Sequence, residues 1–334
     1  MSEKDSGLLP LGDILKQAVP RALLPHIKVA TIALKPLTRV QNRLLEPRPE
    51  DDNEICFQHS VFCQTGLPYR DPGNDVREWK REQGAVSLLV EAGQARHPKS
   101  RDWVKLGLPW GTKPRLILAH LNAEALRQNS PIIEVEDSLS AFVKRIRGFD
   151  SGREIRAFKD QLSRLSVAIV RLATTHGNRP FQTNTPIVED FELWPELDER
   201  QRVLWPQTIQ LSSRYFNSLQ QHAVPLIEAD LGALAHTAMG LDIYAWLAQR
   251  LHRIDPKKPA FIAWANLKEQ FGPDYGRMNN FKKVFRIALA QVQRRYQTAR
   301  LELDGRGMTA RNSPPPVGKR LTLISNAISK RADA

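Results

Sequence analysis

The segment 278–297 carries cationic and amide side chains at helical spacing, and the chain has no acidic residue between Arg277 and Leu301. These side chains belong to Lys282, Lys283, Arg286, Gln293, Arg294 and Gln297. A solvated helix face usually mixes charges of both signs, because opposite charges three or four residues apart support the helix. In the major groove of duplex DNA, lysine and arginine contact guanine or phosphate, and glutamine reads adenine. The pattern therefore predicts a DNA-binding helix, with a simple basic surface as the alternative.

The same segment has an apolar face with the spacing of a helix that packs on a core. Its members are Phe281, Val284, Phe285, Ala288, Val292 and Tyr296. We expect these side chains to be buried, which would turn the cationic side chains outward.

A weaker cationic pattern lies in the segment 153–167, opposite a predicted apolar stripe formed by Ile155, Phe158, Leu162, Leu165 and Ile169. The cations are Arg153, Arg156, Lys159 and Arg164. Two acids, Glu154 and Asp160, interrupt them. The pattern predicts a second helix that contacts DNA, and the alternative is a unit used for dimerisation.

Two arginines fall at the tips of predicted β-hairpins. Arg179 follows the turn at 176–178, and Arg306 lies in the turn at 304–307. An arginine at a hairpin tip can reach phosphate or the minor groove. We expect both to contribute to DNA binding, although such residues are more often only solvated.

The elements that position these residues occur twice, about 125 residues apart, which is the signature of an internal repeat. Each copy reads as helix, short strand, helix, turn, long helix and hairpin. The predicted helices are 113–128, 137–147, 153–167, 241–253, 264–271 and 278–297, and the short strands are 132–135 and 260–263. This order is that of the winged helix, a relative of the helix-turn-helix. The sequence therefore predicts an α+β fold with tandem winged-helix domains.

Proline content and charge divide the chain into four predicted regions. These are a flexible, Pro-rich N-terminal segment (1–53), a first winged-helix domain with preceding strands at 55–62 and 86–90 (54–188), a second winged-helix domain (207–312) and a disordered basic tail (313–334). The acidic stretch 189–206 would separate the two domains.

The net charge of +13 is distributed unevenly. Residues 277–334 contain 13 basic and 3 acidic side chains, whereas residues 188–276 contain 8 basic and 12 acidic ones. A basic block beside neutral or acidic ones is typical of a protein that binds a polyanion.

The sequence lacks the patterns of several enzyme classes. Gly318-Lys319 is followed by arginine and has no glycine at the spacing of a phosphate-binding loop, and no two histidines form the pair that a nicking enzyme uses. We expect Cys56 and Cys63 to be buried thiols, with a metal site including His59 as the weaker alternative. The sequence thus predicts a cytoplasmic protein that is not an enzyme, with no catalytic residue, metal, cofactor or membrane span.

Seven strings together resemble the plasmid-encoded replication initiators of the RepA type. They are FCQTGLPYR (62–70), GAVSLLVEAG (84–93), LGLPWGTKPRLILAHLNAEAL (106–126), EDSLSAFVKRI (136–146), LDIYAWLAQRL (241–251), LKEQFGPDY (267–275) and LELDGRGMTAR (301–311). The resemblance spans about three quarters of the chain, from 63 to 311, and leaves both termini outside.

The resemblance implies theta-type replication. Such initiators bind direct repeats (iterons) in the duplex of a plasmid origin, help to open neighbouring AT-rich DNA, and recruit the host initiator and the replicative helicase. Relatives with two winged-helix units form dimers that repress their own gene and monomers that bind origins. By analogy, helices 153–167 and 278–297 would enter successive major grooves of one repeat.

Two other readings remain open from sequence. A winged-helix transcriptional regulator or autorepressor would use the same DNA-binding chemistry without a role in initiation. A basic scaffold protein would instead present its cationic face to an acidic protein partner.

Overall fold

The computed structural model describes residues 55–96, 100–134, 141, 143–144, 152–176, 179–191 and 208–318, which fall within one compact unit. The predicted N-terminal segment 1–53, most of the acidic stretch and of the helix 137–147, and the tail beyond 318 lie outside the described residues.

Eight α-helices have both ends within the described part of the chain, and the described residues 141 and 143–144 are also helical. The eight helices are α1 (Ser60–Gln64), α2 (Thr112–Gln128), α3 (Gly152–Val167), α4 (Ser213–His222), α5 (Glu228–Leu234), α6 (Ala238–Arg250), α7 (Trp264–Phe271) and α8 (Met278–Arg295). A short 3-10 turn, Leu251–Arg253, continues α6. None of these helices is long and apolar enough to cross a membrane.

Fourteen strands form five small sheets among the described residues. They are β1 (Ile55–His59), β2 (Glu78–Gln83), β3 (Val86–Glu91), β4 (Gln94–Arg96), β5 (Trp103–Lys105), β6 (Ile132–Glu134), β7 (Ile169–His176), β8 (Arg179–Pro186), β9 (Val188–Phe191), β10 (Thr208–Leu211), β11 (Ala223–Ile227), β12 (Ala260–Ala263), β13 (Leu301–Leu303) and β14 (Gly307–Ala310). The described pairings are antiparallel. The fold is therefore a mixture of helices and antiparallel sheets, as the α+β prediction requires.

The second predicted unit has the expected chain order, α6–β12–α7–α8–β13–β14. Its three strands form a sheet in the order β12–β14–β13, so the last strand lies between the other two. Helices α7 and α8 are joined by a turn at 272–277, where Gly272 is tightly packed against the ring of Phe281. The hairpin β13–β14 is thus tied through β12 to the helices that precede it.

The first predicted unit departs from this pattern. Its hairpin β7–β8 joins β2 and β3 in a four-stranded sheet of order β2–β3–β7–β8. Its short strand β6 pairs with β10, which also pairs with β9, instead of with the hairpin. The described elements of the two units therefore agree in chain order but not in strand pairing.

The structure joins the two regions that were predicted as separate domains. Strand β1 pairs with β11 along its whole length, from Ile55 opposite Ile227 to His59 opposite Ala223. One cluster of buried apolar side chains continues from the first region to the second. The acidic stretch between them does not divide the core.

The predicted strand 55–62 is wrong in its second half. The strand ends at His59, whose Nδ1 accepts a hydrogen bond from the backbone N–H of Val61 at 3.2 Å and caps α1. A capping acceptor satisfies a backbone N–H that the first turn leaves unpaired, which favours a helix start there. The turn buries Val61, Phe62 and Cys63.

Candidate nucleic-acid interface

Helix α8 buries the predicted apolar face, with one exception. Phe281, Phe285, Ala288, Val292 and Tyr296 are all buried. Val284 is 37% exposed, and Leu289, which was not assigned to the stripe, is buried instead. At about 100° per residue, Val284 lies some 80–100° from the centre of the stripe, whereas Leu289 lies nearer to it.

The opposite face of α8 is open and cationic. Lys283, Arg286 and Arg294 are exposed, as is Gln297, which follows the helix instead of belonging to it. No acid of the described residues forms an ion pair with any of these three cations. The charge of this face is therefore available to an outside anion.

An aliphatic side chain lies among the cations. Ile287 is 54% exposed and occupies the same outer face as Lys283 and Arg294. In the major groove, an apolar side chain can contact the 5-methyl group of thymine. Sequence reasoning missed Ile287, although its place one residue after Arg286, away from the apolar stripe, is readable from the helical phase.

Two of the predicted residues lie on the flank of α8 and are half-buried, Lys282 and Gln293. Lys282 Nζ donates to the carbonyl of Gly305 at 3.4 Å, so this lysine connects the helix to the hairpin β13–β14. Its placement gives it a structural contact that the outer cations do not have.

Trp264, the first residue of α7, holds the helix and the hairpin together. Its ring packs edge-on against Phe281 and Phe285, and its Nε1 donates to the carbonyl of Asp304 at 3.0 Å. Lys282 Nζ and Arg286 Cζ lie 5.1 and 5.3 Å from the ring centroid, within the range of a cation–π contact. Trp264 therefore positions Lys282 and Arg286, a role that the sequence pattern did not reveal.

The tip of the β13–β14 hairpin is a closed turn that presents Arg306. Asp304 Oδ1 accepts hydrogen bonds from the backbone N–H groups of Arg306 and Gly307, both at 2.8 Å. These bonds stabilise the carboxylate and lower the pKa of Asp304 below its ordinary value. The side chain of Arg306 is 85% exposed, with Asp304 at 3.5 Å and the ring of exposed Phe261 at 5.8 Å.

The cations of α3 fall into two pairs. Arg153 and Arg156, in the first half, are exposed. Lys159 is buried, and desolvation lowers the pKa of its ammonium group to about 8. Arg164 is held internally by Asp160 at 3.0 Å and by the carbonyl of Leu108 at 3.5 Å.

Only two of the four predicted cations of α3, Arg153 and Arg156, are therefore exposed to an outside ligand. Lys159 and Arg164 face the protein, and their position argues against a contact with DNA. The apolar stripe is buried at Phe158, Leu162 and Leu165 but not at Ile169, which begins β7 and is 43% exposed. Arg179 begins β8 opposite His176, beside the hairpin turn as expected, and its side chain is not among the described ones.

The two cysteines and His59 are buried within the protein. Cys56 and Cys63 are buried, as expected, and Cys56 Sγ donates to Glu228 Oε2 at 3.8 Å. Burial raises the pKa of the Cys63 thiol. The same cause lowers the pKa of buried His59 to about 4. Among the described residues, no group of three or more His, Cys, Asp and Glu side chains could hold a metal ion.

In a comparison with protein families, residues 108–266 match the family described as the plasmid-encoded RepA protein. This confirms the resemblance to the RepA type over a little under half of the chain, from just before α2 to the first turn of α7. Helix α8 and the strings 62–70, 84–93, 267–275 and 301–311 lie outside the matched residues.

Two solved structures of domains 2 and 3 of RctB resemble this chain, with low sequence identity and low TM-scores. One, a selenomethionine derivative, is 10% identical, with a TM-score of 0.42, over 78% of this chain and 99% of that chain. The other is 11% identical, with a TM-score of 0.41, over 75% of this chain and 94% of that chain. A likeness of this size decides neither fold nor function. Comparison with curated proteins gives no match.

Proposed function

We propose that this protein is a plasmid replication initiator that binds repeats in the duplex of its origin through the outer face of α8. The family match over residues 108–266 supports the class of function. The observation that carries the DNA-binding part is the open cationic face of α8, formed by Lys283, Arg286 and Arg294, which have no ion-pair partner among the acids that the structure describes.

In this proposal, the second unit is a winged helix that reads the major groove. Helix α8 enters the groove, and the wing is the β13–β14 hairpin with Arg306 at its tip. Arg286 and Arg294 bind guanine or phosphate, Gln297 and Gln293 are polar contacts at the edge, and Ile287 contacts a thymine methyl group. Lys282 and Lys283 bind the phosphate backbone, Lys282 from the side of the wing.

We propose the first unit as a modified winged helix with a smaller DNA contact. The order of its described elements agrees with that of the second unit, but β6 pairs with β10 in place of the hairpin. Arg153 and Arg156 at the start of α3, with Arg179 at the hairpin, are its proposed contacts. Two DNA-contacting helices on one molecule would lie in adjacent turns of the major groove of the same repeat.

The proposed steps after DNA binding are supported only by the match to the RepA family. A RepA-type initiator opens AT-rich DNA beside its repeats and recruits the host initiator and helicase. It also exchanges between a dimer that represses its gene and a monomer that acts at the origin. We propose these roles, in the cytoplasm and without catalysis by the protein itself.

Footprinting on the DNA upstream of the protein's own gene tests the proposal. The full chain should protect repeated elements of about 20 base pairs. Arg286→Ala should weaken binding by about 1–3 kcal/mol and relax sequence preference at one position of each repeat. Arg214→Ala is the matched control, because Arg214 is also an exposed helical arginine but lies on α4.

Three outcomes separate the alternatives. Protection of repeats, together with autonomous replication of a plasmid that carries them, supports an initiator. Protection of an operator without replication would favour a transcriptional regulator. Equal affinity for the cognate duplex and for an acidic polypeptide would favour a scaffold.

A further inference from the structure

Strands β4 and β5 form a two-stranded sheet that pairs with no other strand of the described residues. We refer to Gln94–Arg96 and Trp103–Lys105 as the basic hairpin. Trp103 is 67% exposed, more than any other large hydrophobic side chain described. A tryptophan ring left in water loses the burial that normally stabilises it, so its exposure requires a reason.

The register of the basic hairpin places Trp103 between two cations. Arg96 is paired with Trp103, and Gln94 is paired with Lys105. Cross-strand partners lie on the same face of a sheet, and residues two apart on a strand share that face. Trp103, Arg96, Lys105 and Gln94 therefore line one face, while Ala95 and Val104 line the other.

The base of the basic hairpin is held firmly. The guanidinium of Arg77 donates to the carbonyls of Ala92, Gly93 and Leu106, with distances of 2.5 to 2.9 Å. A Cβ at Gly93 would lie 1.9 Å from the carbonyl oxygen of Val167, so the chain packs here against the end of α3. These contacts fix the two ends of the basic hairpin to the rest of the protein, while its Trp103 face is exposed.

The chemistry of this face fits a single strand of nucleic acid. An unpaired base can stack on a flat aromatic ring, and the cations that flank the ring can bind the neighbouring phosphates. Neither contact depends on the base sequence. Between Gln94 and Lys105 the sequence holds one acid, Asp102, against four cations, Arg96, Lys99, Arg101 and Lys105. A charged nucleotide strand therefore complements the surface better than an apolar protein partner does.

We propose that the basic hairpin is a second nucleic-acid site, which binds single-stranded DNA by stacking a base on Trp103 and contacting the flanking phosphates with Arg96 and Lys105. This site is separate from α8 and does not require that α8 bind duplex DNA. Its ligand is a stretch of unpaired nucleotides, the form that DNA takes where a duplex is opened.

Binding of the full chain to a fluorescein-labelled oligothymidylate of about 20 nucleotides tests the inference. Trp103→Ala should weaken binding roughly 5- to 150-fold, the range measured for loss of one stacked base. Trp103→Phe should retain most of the affinity because it keeps an aromatic face. Arg96→Ala and Lys105→Ala should each weaken binding and reduce its salt dependence.

Val104→Ala is the matched control, because Val104 is an exposed apolar residue of the same hairpin on the opposite face, and it should bind as the unchanged protein does. Binding of the Trp103→Ala protein to the origin duplex should also be unchanged, which verifies its fold.

Two results would overturn the inference. One is an unchanged affinity of Trp103→Ala for oligothymidylate. The other is a loss of self-association in Trp103→Ala, measured by sedimentation without DNA, which would assign the face to a second copy of the chain. Arg286→Ala should leave oligothymidylate binding intact, so failure of the duplex proposal and failure of this one are distinguishable.

Discussion

Two lysines that the sequence predicts to contact DNA, Lys283 and Lys159, have different surroundings in the fold. Lys283 lies opposite the apolar stripe of α8 and is exposed, whereas Lys159 follows Phe158 directly, only about 80° from the centre of the α3 stripe, and is buried. A helical pattern gives the phase of a side chain around its own helix. That phase accounts for Lys159, but it does not tell which neighbouring element packs over the polar side of α3, where Arg164 lies near the carbonyl of Leu108.

Arg164 shows this limit of the helical pattern, whereas Ile287 shows the limit of residue type alone. Arg164 lies near Asp160 and Leu108, so its charge is used inside the protein. Ile287 looks like a core residue by type but is 54% exposed because of its position on α8. Residue type favours one environment on average, whereas tertiary packing decides the individual case.

His59 should make stability depend on pH. Its pKa falls from 6.5 to about 4 because burial, and then the charge of His222, disfavour the imidazolium. Between these two pH values, the unfolded chain binds a proton that the folded chain does not. The free energy of unfolding should therefore fall as pH drops from about 6.5, by about 2 kcal/mol near pH 5.

Urea unfolding of the full chain at about pH 7 and pH 5 measures this loss. His59→Asn is the appropriate variant, because an asparagine oxygen can still accept the hydrogen bond from Val61 N–H at the start of α1. Its stability should change less between the two pH values. An equally steep pH dependence in the variant would assign the effect to other groups.

The elements around α8 were predictable because local signals agree there. The strand 260–263 and the helix 264–271 have the predicted bounds, and α8 begins at Met278 as expected. The close approach of strands adds a constraint at Gly307, where a Cβ would lie 2.2 Å from the carbonyl oxygen of Ile262. The wing thus depends on a glycine for its packing against β12.

Other elements could not be predicted because distant partners create them. Strand β2 reads Glu-Trp-Lys-Arg-Glu-Gln, with Trp79 as its one apolar residue, and its pairing with β3 defines it. Strand β11 contains Pro225 and forms against β1. The local sequence pattern does not indicate such a pairing, because the tendency to form a strand depends strongly on the partner strands that the fold places beside it.

At the scale of the whole molecule, the buried pair of Arg115 and Asp242 connects the two predicted domains. The guanidinium donates to both carboxylate oxygens, at 2.7 and 2.8 Å. It also donates to the carbonyls of Leu67 and Gly111, both at 2.6 Å. Domain limits drawn from composition missed this link, because the two partners are 127 residues apart in the chain.

Removing one partner of this pair should be costly. Arg115→Met leaves the Asp242 carboxylate buried without its cation, and we expect a loss of about 3–5 kcal/mol in the free energy of unfolding. The exposed pair of Arg311 and Glu302 is the control, and Glu302→Gln should cost less than about 1 kcal/mol. Urea unfolding measures both variants.

A single cooperative transition shifted to lower urea would agree with one shared core. Separate transitions for the two regions in Arg115→Met, or a loss no larger than that of Glu302→Gln, would contradict the role given to the pair.

The salt dependence of duplex binding tests the central claim about α8 most directly. For the full chain on its upstream DNA, the logarithm of the binding constant should fall against the logarithm of salt concentration with a slope of roughly −5 to −9, as expected for about six to ten neutralised phosphates. The double variant Arg286→Ala/Arg294→Ala should bind more weakly with a slope shallower by about one to two, while Arg214→Ala keeps the original slope. A double variant that matches Arg214→Ala in both affinity and slope would remove α8 from the interface.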